Sequence, residues 1–121
     1  MEVNVSSTLH ITVLVEQGNE HVTVLNLKGE LDGSTYKDLE SKADELMAAG
    51  TKNFLIDLSD VSYMGSAGLR AFHSTANKLK ENNGALKLLK PSDAVARVLK
   101  TLGFDQFFEI FSDLDDGISS F

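Results

Sequence analysis

Hydrophobic and polar residues alternate at the beginning of the chain. Between residues 9 and 15 the apolar side chains occupy every second position, which predicts a strand with one apolar face. A turn-forming stretch at 17–20 precedes a second apolar stretch at 21–28, whose hydrophobic residues fall on both faces, as is typical of a central strand. Because the connection is short, the two strands are predicted to form an antiparallel hairpin.

Three segments with hydrophobic residues at helical spacing follow the hairpin, and short apolar strands separate them. Residues 29–33 are predicted to be a loop, after which Ser34 or Thr35 caps the first helix. Thr35 and Asp38 resemble a capping box, with the aspartate in place of the usual glutamate. Gly50 lies just past the end of this helix, where glycine is favoured.

The remaining elements alternate between strand and helix. Strands are predicted at 54–58 and 85–89, with a loop at 59–65 and a second helix that begins at Ser66. The other predicted elements are a third helix capped by Ser92 and stopped by Gly103, a strand at 107–111, and a short closing helix carrying Leu114, Ile118 and Phe121.

The resulting order is β-β-α-β-α-β-α-β with a closing helix. Strands joined through helices are parallel, whereas the opening hairpin is antiparallel. The sequence therefore predicts one α/β domain over residues 1–121, with a mixed sheet and helices packed mostly on it. Its core is expected at about 9–111, and residues 112–121 are expected to form a C-terminal helix or tail.

Composition narrows the functional classes. The 121 residues are 42% hydrophobic and 24% charged, which is enough for one globular core. The absence of cysteine excludes a disulfide framework and favours the cytoplasm. We expect neither a signal peptide nor direct membrane insertion, because no apolar run approaches the roughly 18 residues of a membrane span. A formal net charge of −7 disfavours binding to nucleic acid or anionic lipid.

Signals for catalysis are weak. His10, His21 and His73 form no metal-type pair at helical spacing, and His73 is expected to be a partly buried structural residue. No dinucleotide, phosphate-loop or zinc-protease motif is present in the sequence. Residues 65–68 resemble a nucleophile elbow only superficially, because the glycine spacing differs and no general base is evident. We therefore expect no enzyme, no metal and no cofactor.

Residues 57–70 are the most informative segment. A buried strand ends there, and a helix begins at Ser66. Three small residues surround this hydroxyl, Gly65, Ala67 and Gly68, and small residues allow another backbone to approach closely. One interpretation is a helix N-cap, worth about 1 kcal/mol. The other is a modification site, because a helix N-terminus tolerates phosphate, whose added charge of about −1.5 to −2 a docked partner would meet.

Three stretches form a pattern in a fixed order. Residues 27–32 read LKGELD, residues 54–61 read FLIDLSDV, and residues 63–70 read YMGSAGLR. Together they resemble the motifs of the STAS domain, and in particular those of bacterial anti-sigma-factor antagonists. The resemblance extends from about Leu9 to Phe111, and the three motifs are specific in combination although each alone is weak.

The resemblance implies a regulated binding protein. Family members bind an anti-sigma factor, often an ATP-dependent serine kinase, and so release a sigma factor; the kinase phosphorylates a residue at the start of the second helix, and a serine phosphatase reverses this. By position the acceptor corresponds to Ser66, and the aspartate near the acceptor and the partner corresponds to Asp32. The resemblance thus implies a partner-binding set of Asp32, Gly33, Ser34, Thr35, Met64, Gly65, Ser66, Ala67 and Gly68.

The chain departs from the family pattern at one place. Many members carry aspartate or serine just before the acceptor, whereas Gly65 here removes a polar group beside the phosphorylation site. Ser59 and Ser62 are expected to be turn or capping residues. For Asp32 a local role is an alternative to partner binding: its carboxylate would accept hydrogen bonds from loop N–H groups.

Two other functions are alternatives to this one. A response-regulator receiver domain is disfavoured, because residues 17–20 form a hairpin turn where that fold needs an acidic pair for magnesium. A stand-alone STAS-like module that binds a small ligand, or that scaffolds another signalling or transport complex, would have the same fold and stays open.

Overall fold

The computed structural model describes residues 9–121, and its secondary structure follows the predicted order. Within these residues the elements are β1 Leu9–Gln17, β2 His21–Leu31, α1 Tyr36–Ala48, β3 Asn53–Met64, α2 Ser66–Glu81, β4 Ala85–Leu89, α3 Asp93–Thr101, a 3-10 turn Phe104–Gln106, β5 Ile110–Phe111 and α4 Leu114–Ser119.

The strands form a single five-stranded mixed sheet in the order β1-β2-β3-β4-β5. β1 pairs with β2 in an antiparallel hairpin, in which Leu9 lies opposite Gly29 and Gln17 opposite His21. β2, β3, β4 and β5 are all parallel, because a helix or a longer connection separates each pair. The predicted fold class, the hairpin and the central position of β2 are therefore confirmed.

The two faces of the sheet are covered unequally. Helices α1, α2 and α3 pack on one face, where residues such as Leu39, Phe72 and Val95 join the larger core cluster. The short helix α4 covers part of the other face, where Ile118 packs against Val24 in a smaller cluster. The predicted closing helix is thus confirmed, and it supplies the apolar cover that β2 needs on its second face.

Two predicted loops are wrong in part, because the strands before them are longer than expected. β2 extends through Leu31 and β3 extends through Met64, where the sequence predicted loops at 29–33 and 59–65. The glycine, serine and aspartate residues that suggested turns lie instead at two register shifts between these strands. Irregularities of this kind bend a strand without ending it, and the buried side chains of Leu31 and Met64 hold the extension in place.

The last predicted strand is also shorter than expected. Only Ile110–Phe111 pairs with β4, whereas the sequence predicted a strand at 107–111. The preceding aromatic residues belong to a turn that buries Phe108 and leaves Phe107 70% exposed. The apolar stripe of α3 is likewise interrupted at its end, where Leu102 is half exposed.

The edge strand β1 carries exposed apolar side chains on both faces. Val13 and Val15 belong to the predicted apolar face, yet they are 37% and 60% exposed, and Leu14 on the opposite face is 53% exposed. Only the beginning of this face, at Leu9 and Ile11, reaches the core. No helix among residues 9–121 has the length and apolar character that crossing a membrane requires.

Candidate functional site

The ends of β2 and β3 bring the two predicted site segments together. These strands are parallel neighbours, so their carboxyl ends lie at the same edge of the sheet. The Gly65 N–H donates to the Leu31 carbonyl at 2.9 Å. A Cβ placed on Gly65 would lie 3.9 Å from the Asp32 Cα. The segments 32–35 and 64–68 therefore form one surface, as the pattern of motifs implied.

Ser66 is exposed at the first position of α2, and Gly65 is the N-cap. Within residues 9–121 the Ser66 hydroxyl makes no hydrogen bond, so it does not cap the helix. The N-cap interpretation of Ser66 is therefore wrong. A serine hydroxyl that is exposed and unbonded is accessible to another protein and can be modified without the loss of an internal contact.

The start of α2 leaves backbone donors without protein partners. The N–H groups of Gly68 and Leu69 donate to the Gly65 carbonyl, but those of Ser66 and Ala67 have no backbone acceptor in the described part of the chain. Gly65 has no side chain that could satisfy them. Free N–H groups and the positive end of the helix dipole make this position favourable for a negative charge near Ser66.

Asp32 organises the neighbouring loop. Its Oδ1 accepts hydrogen bonds from the Ser34 hydroxyl at 2.7 Å and from the Ser34 N–H at 2.9 Å. These two bonds, and weaker ones from Thr35, hold the pKa of the Asp32 carboxyl below its usual value although slight burial opposes them. The local role that the sequence allowed for Asp32 is thus confirmed, and the carboxylate is ionised at neutral pH.

Thr35 is buried beneath this loop, with 2% of its surface exposed, and its side chain holds the loop in place. Its hydroxyl donates to the Glu30 carbonyl at 2.8 Å and accepts from the Asp32 N–H at 3.0 Å. The Thr35 side chain consequently makes no capping bond to α1, and the predicted capping box is wrong. Gly33 and Ser34 remain exposed next to it.

Besides Thr35, three further residues of the implied partner-binding set lie inside the protein. Met64 is 2% exposed, Ala67 is 9% exposed, and Gly68 is buried against Leu31. A Cβ on Gly68 would lie 2.6 Å from the Leu31 Cγ, so this glycine permits the close packing of α2 on the end of β2. These residues support the surface from below, and the next residue, Leu69, is also buried in the core.

Tyr63 was not selected from the sequence, although it lies on the same surface. Its side chain is 53% exposed, and its hydroxyl would lie 3.6 Å from a Cβ on Gly65. Its position, two residues before the N-cap of α2, could have indicated that Tyr63 belongs to the site. The loop expected at 59–65, however, gave no reason to place its ring next to Gly65. An aromatic hydroxyl therefore lies beside Gly65, the residue that precedes Ser66.

The other nearby serines make local hydrogen bonds, but they lie within β3, so the expectation that they are turn or capping residues is wrong. The hydroxyl and the N–H of Ser59 both donate to Asp57 Oδ1, at 2.8 Å and 3.0 Å. The Ser62 hydroxyl donates to the Gly29 carbonyl at 3.2 Å. Among residues 9–121, no group of three or more histidine, cysteine, aspartate or glutamate side chains is arranged to hold a metal ion.

This arrangement coincides with a family match. Residues 14–117 match the family model of the STAS domain. The chain belongs to the STAS family. The match covers all five strands at least in part, and it includes the Asp32 loop and the start of α2 that form the site in this STAS domain.

Relatives of this STAS domain carry consistent names. The anti-sigma-F factor antagonist RsfB of Mycobacterium tuberculosis is 32% identical over 109 residues, which cover 90% of this chain and 88% of the relative. The anti-sigma-B factor antagonist of Staphylococcus aureus is 33% identical over 82 residues, or 68% of this chain and 76% of that protein. The crystal structure of an anti-sigma factor antagonist from Mycobacterium paratuberculosis superposes with a TM-score of 0.75 at 32% identity, covering 92% and 93% of the two chains.

Proposed function

We propose that this STAS domain is a cytoplasmic anti-sigma-factor antagonist, whose binding to an anti-sigma factor of the serine-kinase type is controlled by reversible phosphorylation of Ser66. The observation that carries the proposal is the exposed, unbonded hydroxyl of Ser66 at the start of α2. A serine phosphatase would restore the binding form. The protein acts by occupying its partner and not by catalysis.

The unmodified surface is suited to close docking. Gly65 and Gly33 have no side chains, so the surface is flat at these positions. The space around Gly33 is open, because a Cβ placed on it would have no atom within 4 Å. Asp32, Ser34 and Tyr63 surround this area with one carboxylate and two hydroxyl groups that a partner can bind. The buried residues Thr35, Met64, Ala67 and Gly68 fix the shape of the surface, so their effect on binding is indirect.

Phosphorylation would block this docking without unfolding the domain. The free N–H groups of Ser66 and Ala67 and the helix dipole would stabilise the charge of the phosphate, so the fold would be retained. A partner seated on the same surface would have to desolvate about 1.5 to 2 additional negative charges. The ionised carboxylate of the neighbouring Asp32 adds to that electrostatic cost.

A charge introduced at Ser66 tests the proposal. Ser66→Asp is expected to weaken binding to the cognate anti-sigma factor about 30-fold or more, because an unpaired charge in an interface costs on the order of 2–5 kcal/mol. Binding is measured by calorimetry, and thermal unfolding checks that the fold is retained. Ser41→Asp, which places the same charge on the exposed side of α1, is the matched control and should bind like the wild type.

Equal binding of Ser66→Asp and the wild type would disprove the electrostatic mechanism. Loss of binding in Ser66→Ala as well would show that the hydroxyl itself contacts the partner. Intact-mass analysis with peptide mapping of the protein from its native host provides an independent test. A phosphate on the Ser66 peptide under one growth condition is expected, and its absence under both resting and stress conditions would indicate a constitutive binding module.

A further inference from the structure

The charges of the chain are divided between two regions. Residues 66–104 contain seven lysines and arginines but only two aspartates and glutamates, whereas the rest of the chain contains four of the former and sixteen of the latter. The region from α2 to α3 is therefore basic within a protein whose net charge is −7. A local reversal of sign directs partners of opposite charge to one side of a protein.

An aromatic groove lies beside α2, within this basic segment of the sequence. The exposed face of α2 and the turn after α3 enclose a groove of about 570 Å³, with Arg70, His73 and Lys78 on one wall and Phe104 and Phe107 on the other. Phe107 is 70% exposed, which is unusual for so large an apolar side chain. A second groove, of about 340 Å³, lies on the other side of the same ring and includes Lys80.

The position of Phe107 is fixed by other rings. Its ring packs edge-on against His73 with centroids 6.4 Å apart, and it contacts Phe104 at 5.7 Å. Phe104 in turn stacks on the buried Phe108. His73 is exposed, so the expectation that it is a partly buried structural residue is wrong, and it forms part of the groove instead. A rigid exposed aromatic residue of this kind loses little conformational entropy on binding.

The positively charged side chains of the groove differ in whether they already form an ion pair. Lys78 forms an ion pair with Asp44 at 3.0 Å, whereas Arg70 is exposed and has no ion pair in the described part of the chain. Glu81 is the single acidic residue among those that line the groove within residues 9–121. An anionic group entering beside Phe107 therefore meets the guanidinium of Arg70 without displacing an existing partner.

We propose that this groove binds an amphipathic, acidic helix of a partner protein, with an apolar side chain against Phe104 and Phe107 and a carboxylate on Arg70. The groove follows α2 from Arg70 to Glu81, a distance of about 16 Å at 1.5 Å per residue, which a partner helix of about three turns spans. An apolar groove on a helical surface is the usual receptor for such a helix. Arg70 lies one helical turn after Ser66 on the same face of α2, so the groove adjoins the surface of Ser66.

Two matched peptides test this inference. Both are amphipathic helices of about 15 residues with identical leucine and phenylalanine positions; one carries glutamate and the other carries lysine at the remaining positions. In a ¹⁵N NMR titration, the glutamate peptide is expected to shift the amide signals of Arg70, His73 and Phe107. It should bind about 10-fold more tightly than the lysine peptide.

Two variants separate the apolar contribution of Phe107 from the electrostatic contribution of Arg70. Phe107→Ala is expected to weaken binding of the glutamate peptide about 10-fold or more, because aromatic anchors dominate such interfaces. Arg70→Glu should abolish the preference for the glutamate peptide. Val15→Ala removes an apolar side chain that is 60% exposed on β1, outside the groove, and should bind like the wild type.

Three results would overturn the inference: equal binding of the two peptides, signal shifts confined to other surfaces, or no binding of either peptide. Sedimentation of the protein alone provides a further test, because self-association that Phe107→Ala abolishes would assign the groove to a second copy of the chain. No anti-sigma factor is present in these measurements, so their failure would leave the proposal for Ser66 intact.

Discussion

Two helices of this protein begin with a serine, and the two serines have different environments. Ser92 precedes α3 as its N-cap; its Oγ accepts from the Val95 N–H at 3.4 Å and donates to the Val61 carbonyl at 2.7 Å. Ser66 occupies the first position inside α2, and its side-chain hydroxyl makes no hydrogen bond within residues 9–121. Ser92 is only partly exposed, whereas Ser66 is exposed.

The difference shows how a fold distinguishes a structural hydroxyl from an accessible one. Ser92 links two elements, because its hydroxyl donates to a carbonyl on β3 and accepts from an N–H of α3. A modification of Ser92 would break both links. Ser66 can be modified without such a loss, since Gly65 takes the N-cap position and holds the chain through its own N–H and carbonyl.

Alanine at the two positions should give the largest contrast in stability. Ser92→Ala is expected to lower the free energy of unfolding by about 2 kcal/mol, since it removes a helix cap and the donor to the Val61 carbonyl. Ser66→Ala is expected to change it by no more than about 0.5 kcal/mol, as is usual for exposed positions. Urea denaturation followed by circular dichroism measures both values.

Similar losses in the two variants would break the comparison. That result would mean that Ser66 has a structural partner, and the proposal that it is free for modification would lose its basis. A large loss for Ser92→Ala alone would sharpen the distinction.

The third residues of the two helices provide the next contrast. At this position α3 has the fully buried Val95, whereas α2 has Gly68, whose Cβ would lie 2.6 Å from the Leu31 Cγ. Gly68→Ala should therefore cost about 1–2 kcal/mol, because Leu31 is buried and overpacking outweighs the better helix propensity of alanine. Gly33→Ala, with open space around its Cβ, is the control in thermal unfolding. A stabilised Gly68→Ala variant would show that Leu31 can move aside.

The smallest change in stability is expected when Gly65 is replaced by serine, which would give α2 a serine N-cap like that of α3. Gly65 has φ −102° and ψ 176°, which a serine N-cap adopts readily, and the new side chain would meet Tyr63 at an ordinary contact distance of 3.6 Å. Gly65→Ser is expected to stabilise the protein by only about 0.2–0.5 kcal/mol, because glycine is itself an acceptable N-cap. Calorimetric unfolding measures the gain, and a clear loss of stability would contradict the described N-cap geometry.

The sequence predicted the type and order of the elements better than their ends. The alternation in β1 and the helical spacing in α1 to α3 identify elements because local geometry determines both periods. The extensions of β2 to Leu31 and of β3 to Met64 depend on pairing between segments about 30 residues apart. Turn-forming residues are locally indistinguishable from residues at a strand irregularity, so these two ends were predicted as loops.

By itself the sequence determined the family, the fold class and the position of Ser66 in the signature, because these follow from residue types, from their spacing within each segment and from the order of the segments along the chain. Only the tertiary structure decided which of the implied site residues are accessible. Thr35, Met64 and Gly68 became buried, and Tyr63 came to lie beside Gly65. The physical reason is that burial and hydrogen-bond partners at the start of α2 are set by the end of β2, a neighbour that is distant in sequence.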